Sequence, residues 1–221
     1  MAEHQALEGQ FSTTTYFGSC KPKFEPVKED QQLEIMTFLE ASRQILPFLE
    51  TLGKAFVFVK KDVQGNIEKI EKHRAKDPEK YKTINLIVEE DQSAEKKGMS
   101  DGCVGVLWLK RGLDFIHNIF AELLADLKNG VTDENISPTI GRAYENSIKK
   151  YHGWMTQKVI GGVIKMVPYR KDFLDRLILE PSATPELVLK DIELYDVNLA
   201  ATVKLMDDLL TKNNKNSEEK V

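Results

Sequence analysis

From about Glu29 onward, apolar positions recur every three or four residues, the spacing of one face of an α-helix. Leu33, Met36 and Leu39 begin the pattern, and Phe48 and Leu52 resume it after a break near Pro47, with Gly53 as a stop. Phe56-Val57-Phe58-Val59 is the one run that suits a strand. It has no partner strand elsewhere, so it reads as the buried lead-in to the helix that follows. Asp77-Pro78 and Ser137-Pro138 each set a capping residue before a proline at the first helical position. The first predicts a helix through Tyr81, Ile84 and Ile87. The second predicts one that continues past Lys150-Tyr151-His152-Gly153-Trp154 and ends before Pro168, with Gly161-Gly162 as a place to kink. Ser100-Asp101 opens a long, unusually apolar helix that closes at Asn129-Gly130, and Thr184-Pro185-Glu186 opens the last long one. Seven or eight helices without a credible sheet predict an all-α fold.

The two ends lack this period. Residues 1–28 carry Gly9, Thr13-Thr14-Thr15, Gly18, Pro22 and Pro26 and read as a flexible arm, which Phe11, Tyr16 and Phe17 are able to dock. Residues 213–221 read as a polar tail that frays, leaving 29–212 as one domain.

Composition narrows the function. A net charge of −4 argues against a nucleic-acid partner. Cys20 and Cys103 have no spacing that suggests a metal site or a disulfide framework, which suits a reducing compartment. No apolar run approaches membrane-spanning length and no signal-type segment opens the chain, so the cytosol is the expected location. No phosphate loop, dinucleotide fingerprint, nucleophile elbow or H-E-x-x-H is present. His4, His73, His117 and His152 form no ligand set, so no metal, no cofactor and no enzymatic activity are expected.

Three stretches carry candidate chemistry. On one helix Asp62, Asn66 and Lys69 fall within about 60° of one another, beside an apolar stripe of Val63, Ile67 and Ile70, with Gly65 on the flank. An anion, an amide and a cation in a row recognise a neutral, hydroxyl-rich group; an ordinary exposed Asp-to-Lys pairing is the plainer alternative. His152 falls among Ile148, Met155 and Val159, as a satisfied core histidine or a working one. Trp154 has Lys150 and Lys158 at i−4 and i+4, which suits either packing under lysine stems or reversible docking on a bilayer. Tyr169-Arg170-Lys171 would extend such a surface.

The Asp62/Asn66/Lys69 row, Leu107-Trp108-Leu109-Lys110-Arg111-Gly112-Leu113 and Lys149-Lys150-Tyr151-His152-Gly153-Trp154 together resemble the glycolipid transfer protein family over residues 30–205. The resemblance implies a two-layer helical sandwich of about eight helices enclosing a lipid cavity. It implies a glycosphingolipid ligand of the glucosyl-, galactosyl- or lactosylceramide class, moved between membranes by a monomer. Asp62, Asn66 and Lys69 would bind the headgroup and ceramide amide, Trp108 would stack on the first sugar, and His152 would bond the amide carbonyl. Helical phase adds Phe48, Val104, Phe115, Ile119, Ile148, Met155 and Val159 as the expected apolar pocket. Lys150, Tyr151, Trp154, Lys158 and Tyr169 are the expected membrane-docking set.

Two other functions remain open at this level. The branch of the superfamily that carries ceramide phosphate places cations around the headgroup, where this chain has Trp108 and Asn66; Lys110 and Arg111 keep that branch in play. A non-transporting helical adaptor is the other. Pro47-Phe48-Leu49-Glu50-Thr51 only faintly resembles an acidic two-phenylalanine tract used by some lipid carriers. The chain departs from the family in the length of its N-terminal arm and in reading Asn213-Asn214-Lys215-Asn216 where a tyrosine is often found.

Overall fold

The computed structural model describes residues 11–28, 31–92 and 98–220. Among them the regular structure is helical, with three isolated bridges (Thr15 to Ile178, Glu34 to Thr83, Asn135 to Tyr169) and no strand. The helices are α1 (Tyr16–Ser19), α2 (Ile35–Arg43), α3 (Ile45–Thr51), α4 (Val57–Arg74), α5 (Ile84–Glu89), α6 (Asp101–Lys128), α7 (Ser137–Asn146), α8 (Trp154–Ile164), α9 (Arg170–Asp175) and α10 (Pro185–Lys212). Single 3-10 turns lie at Lys54–Phe56 and Lys149–Tyr151.

Helix α6 is the centre, packed against α4, α7 and α10. Its start and stop follow from local chemistry: Ser100 Oγ accepts from Cys103 N at 3.3 Å, and Gly130 takes a φ of 73° after the last turn. Leu109, Leu113, Ile116 and Phe120 are fully buried, as the breadth of its apolar face requires. The charged edge is covered as well. Lys110 pairs with Asp207 and His117 Nδ1 lies 2.9 Å from Asp196, both on α10. Helix α4 crosses α6 at Gly105, where a Cβ would stand 2.9 Å from Asn66 O and 3.0 Å from Lys69 Cβ. Without a glycine there, the backbone bearing Asn66 and Lys69 could not lie so close to α6.

Several elements differ from expectation. Pro47 sits in the first turn of α3, where it costs no hydrogen bond, and the break falls at Gln44. Asp77-Pro78 makes only a turn, closed by Lys80 N donating to Asp77 Oδ1 at 3.0 Å. The chain then bridges to residues 33–35 through Ile35 N to Lys82 O and Ile84 N to Leu33 O, so the helix waits for the Thr83 cap. Phe56 is buried, but Val57 and Phe58 are exposed, so that lead-in is only partly internal. Phe48 and Leu49 are wholly buried, which withholds the tract around them from a partner.

The ends of the described chain are packed, contrary to a flexible arm and a fraying tail. Phe17 inserts among Phe48, Phe120 and Tyr195, with ring centroids 5.2, 5.0 and 4.8 Å away. The buried Asp191 anchors this segment by accepting from Thr15 Oγ1 at 2.5 Å and from Ser12 N at 3.1 Å. Residues 1–10 of the expected arm lie outside the described residues. At the other end Lys215 Nζ reaches Asp91 Oδ1 at 3.3 Å, Asn216 Nδ2 donates to Asp207 Oδ1 at 3.0 Å, and Ser217 O accepts from Arg111.

The predicted continuous helix from Ser137 past Trp154 is two helices. Helix α7 ends at Asn146, Ser147 turns the chain with φ −119° and ψ −93°, and His152 is extended before Gly153 caps α8. Helix α8 then runs unbroken through Gly161-Gly162.

Candidate functional site

A cavity of about 520 Å³ opens between α4, α6, α7 and α8. The 3-10 turn and α4 contribute Phe56, Phe58, Val59, Asp62, Val63, Asn66 and Lys69; α6 contributes Val104, Trp108, Gly112 and Phe115. Tyr144, Ile148 and His152 close one side, and Thr156, Ile160 and Val163 of α8 another. Its size is that of a small-ligand pocket, and its walls combine many apolar side chains with a few polar groups, the pattern of such sites.

All five residues expected at the headgroup line this one cavity. Of the expected apolar pocket, Val104, Phe115 and Ile148 line it, whereas Phe48 and Ile119 belong to the solid core. Met155 and Val159 are 63% and 54% exposed. The break at residues 147–153 accounts for this: a helix restarted at Gly153 turns Thr156, Ile160 and Val163 inward and Met155 and Val159 out. These three stand at i, i+4 and i+7, so taking Gly153 as an N-cap would have found them. Sequence spacing did not assign Phe56, Phe58, Val59, Val63 or Tyr144 to the pocket either; of these, Val63 stood out only as part of an apolar stripe.

The polar row is internally bonded. Asn66 Nδ2 donates to Asp62 Oδ2 at 3.3 Å, and Lys69 Nζ donates to Asn66 Oδ1 at 3.1 Å. Asn66 is buried while the ends of Asp62 and Lys69 face the opening. Burial by the surrounding walls pushes the Asp62 carboxyl above its ordinary pKa, and Lys69 and Asn66 only partly pull it back. The row therefore presents one acceptor and one cationic donor, held in register by a buried amide.

Across the cavity Trp108 and His152 lie parallel within 6°, with centroids 6.2 Å apart. Burial, and then the Arg111 charge, lower the His152 pKa, so the ring is neutral at pH 7. Tyr144 Oη is 2.8 Å from His152 Nδ1, and burial raises the Tyr144 pKa to about 12, which keeps its proton. In the tautomer in which Tyr144 donates to Nδ1, the ring proton resides on Nε2 and is left to donate. Tyr144→Phe is expected to weaken ligand binding in this cavity about fivefold, the worth of one neutral hydrogen bond, with an unchanged melting curve. Ligand titration beside thermal unfolding checks this.

Lys110 and Arg111 do not line this cavity. Lys110 is committed to Asp207, and the Arg111 guanidinium lies 4.6 Å from the Trp108 centroid and 3.5 Å from that of Tyr151. It braces the back of the tryptophan. Among the lining residues Lys69 is the one permanent cation.

The expected docking residues divide. Trp154 is 67% and Tyr169 64% exposed, Lys150 and Lys158 are exposed, and Lys158 Nζ lies 4.9 Å over the Trp154 ring. Tyr151 is buried under Arg111, so it is not a surface residue.

A family model described as glycolipid transfer protein (GLTP) matches residues 33–178. The chain is 36% identical over 208 residues to a glycolipid transfer protein of Danio rerio, covering 90% of this chain and 97% of that one. It is 35% identical over 164 residues to glycolipid transfer protein 1 of Arabidopsis thaliana, covering 73% and 78%. A solved structure of FAPP2, which selects simple glycosphingolipids with the GLTP fold, superposes with a TM-score of 0.79 at 26% identity, covering 94% of this chain and all of that one. The chain belongs to the glycolipid transfer protein family.

Proposed function

We propose that this protein is a cytosolic, monomeric carrier that lifts a glycosphingolipid from one membrane and releases it to another, making and breaking no covalent bond. The observation that carries this is the Asp62-Asn66-Lys69 row facing the opening of an apolar cavity that also holds Trp108 and a neutral His152. Burying an acyl chain is worth about 0.8 kcal/mol per methylene, so a long chain outweighs any single hydrogen bond at about 1 kcal/mol. The cavity supplies affinity and the polar row selects the lipid.

A glucosyl-, galactosyl- or lactosylceramide suits the row better than ceramide phosphate. An anionic headgroup calls for several convergent cations. Here Lys110 is paired with Asp207 and Arg111 is held by Ser217 O and two rings, while Asp62 faces the opening. Trp108 would stack on the first sugar, and His152 Nε2 would donate to the amide carbonyl of the ceramide.

Membrane contact is assigned to Trp154, Lys150, Lys158 and Tyr169, joined by Val57, Phe58, Met155, Val159 and Met166, all exposed and apolar. Phe58 is both 64% exposed and a cavity residue, and a Cβ at Gly53 would meet Met166 O at 3.5 Å, which brings the end of α8 and the start of α4 together. An apolar surface ringed by lysines beside the opening suits a bilayer. Trp154→Ala is expected to slow transfer about tenfold, since one interfacial tryptophan is worth roughly 1–2 kcal/mol, while binding of lipid presented in detergent stays unchanged. Equal loss in both assays would contradict that division.

The chain has two tryptophans. In a Trp154→Phe protein, Trp108 is the sole indole emitter, so its fluorescence reads the cavity directly. Glucosylceramide in phosphatidylcholine vesicles should shift that emission and phosphatidylcholine alone should not. An emission indifferent to the glycolipid would count against the sugar site.

A further inference from the structure

The polar row of α4 does not stop at the main cavity. A second cavity of about 280 Å³ lies along the same helix, lined by its Gly65, Glu68, Lys69, Lys72 and His73, by Lys76 from the turn that follows, and by Asp101 from the start of α6. Lys69 belongs to both cavities. Positions 62, 65, 69 and 72 follow one another at helical spacing, so one continuous face of α4 leads from Asp62 past Lys69 to Lys72, and Lys76 joins it from the turn after the helix. From Asp62 to Lys72 the helix axis advances about 15 Å, enough for sugars beyond the first.

The chemistry of this face differs from that of the first site. Three ammonium groups meet Asp101 and Glu68, and Glu68 is engaged by Gln64 Nε2 at 2.8 Å. Among the described residues no ion pair holds Lys72 or Lys76, unlike Lys80, Lys82 and Lys110, which are each paired. A Cβ at Gly65 would meet nothing within 4 Å, so the floor beside Lys69 is open. His73 is buried, and its Nδ1 has no hydrogen-bond partner among the described residues.

We infer that this second cavity is a subsite for the outer part of a longer headgroup, one whose second or later sugar carries an anionic carboxylate or sulfate. The inference rests on the carrier reading and deepens it. The first sugar remains at Asp62, Asn66 and Trp108, where a neutral ring fits. Lys69 is the hinge between the two sites, and Lys72 and Lys76 attract the negative charge.

The test is a transfer series from phosphatidylcholine vesicles with glucosylceramide, lactosylceramide, sialyl-lactosylceramide and sulfated lactosylceramide. Each is run with wild type, with Lys72→Ala/Lys76→Ala and with Lys72→Glu/Lys76→Glu. The expected result is an unchanged glucosylceramide rate in all three proteins, a roughly tenfold loss for both anionic lipids in the alanine pair and a larger loss in the glutamate pair. Loss for the sialylated lipid alone, or the sulfated one alone, identifies which anion the subsite takes. A uniform loss across the four lipids, or none, overturns the subsite. If wild type moves no glucosylceramide, the carrier reading itself has failed.

Discussion

Asp62→Val is expected to abolish glycolipid transfer, lowering it by a hundredfold or more, without unfolding the protein. The carboxylate is the acceptor of the row, and charged hydrogen bonds contribute about 1.5–3 kcal/mol each, so losing two removes roughly two orders of magnitude or more. The substitution also strips Asn66 Nδ2 of the acceptor it holds at 3.3 Å, inside a residue that is otherwise buried. The melting temperature is expected to change little, because this loss and the removal of a carboxylate of raised pKa oppose each other. Burial raises the folded pKa of Asp62, so the ionised group costs stability above that pKa, and the cost is relieved as pH falls through it. Valine carries no such cost. By the same sign, protonating Asp62 removes the charge of the acceptor, so wild-type transfer should begin to fall at a higher pH than that at which an unperturbed aspartate titrates. Transfer and thermal unfolding measured side by side across pH check both halves.

Trp108→Ala is the second large effect, expected to reduce transfer by about 30- to 300-fold. The ring offers a flat apolar face parallel to His152 and is braced from behind by Arg111 at 4.6 Å. Stacking on an aromatic face is worth about 1–1.5 kcal/mol, and the apolar surface that the indole shields from water adds about 1–2 more. The distinguishing readout is selectivity. Binding of glucosylceramide should fall towards that of ceramide, and Trp108→Phe should restore part of the difference. A uniform loss for both lipids would mean that the ring only fills space.

How far the sequence revealed this site depended on how local the signal was. Ser100 and Asn129-Gly130 bound α6 by capping chemistry within a single turn, and Asp62, Asn66 and Lys69 share a face by helical spacing alone; both were legible. The inner face of α8 was not. Lys149-Lys150-Tyr151 are acceptable helix formers, and only tertiary packing dictates that Ser147 turns the chain and that His152 is extended towards the cavity. Assuming a continuous helix there exchanges Thr156, Ile160 and Val163 for Met155 and Val159. The packed ends were hidden for another reason. Asp191 anchors the segment around Thr15, and Asp91 holds Lys215, through individual bonds between residues far apart in sequence that leave no period to detect.

Lys110 and Arg111 illustrate a limit of residue type as a guide. Two adjacent cations near Trp108 kept a phosphate headgroup in play, yet each is engaged elsewhere, by Asp207, Ser217 O and two aromatic rings. The remaining cation of the cavity, Lys69, stands in one row with a carboxylate and an amide.

The most direct test of the central claim is transfer of fluorescent galactosylceramide between vesicles, beside fluorescent ceramide phosphate and phosphatidylcholine, for wild type and Asp62→Val. Wild type is expected to move the sugar lipid alone, and the substitution to stop it. Preferential transfer of ceramide phosphate, or no transfer of any of the three by a folded, helical protein, would contradict the glycolipid-carrier assignment.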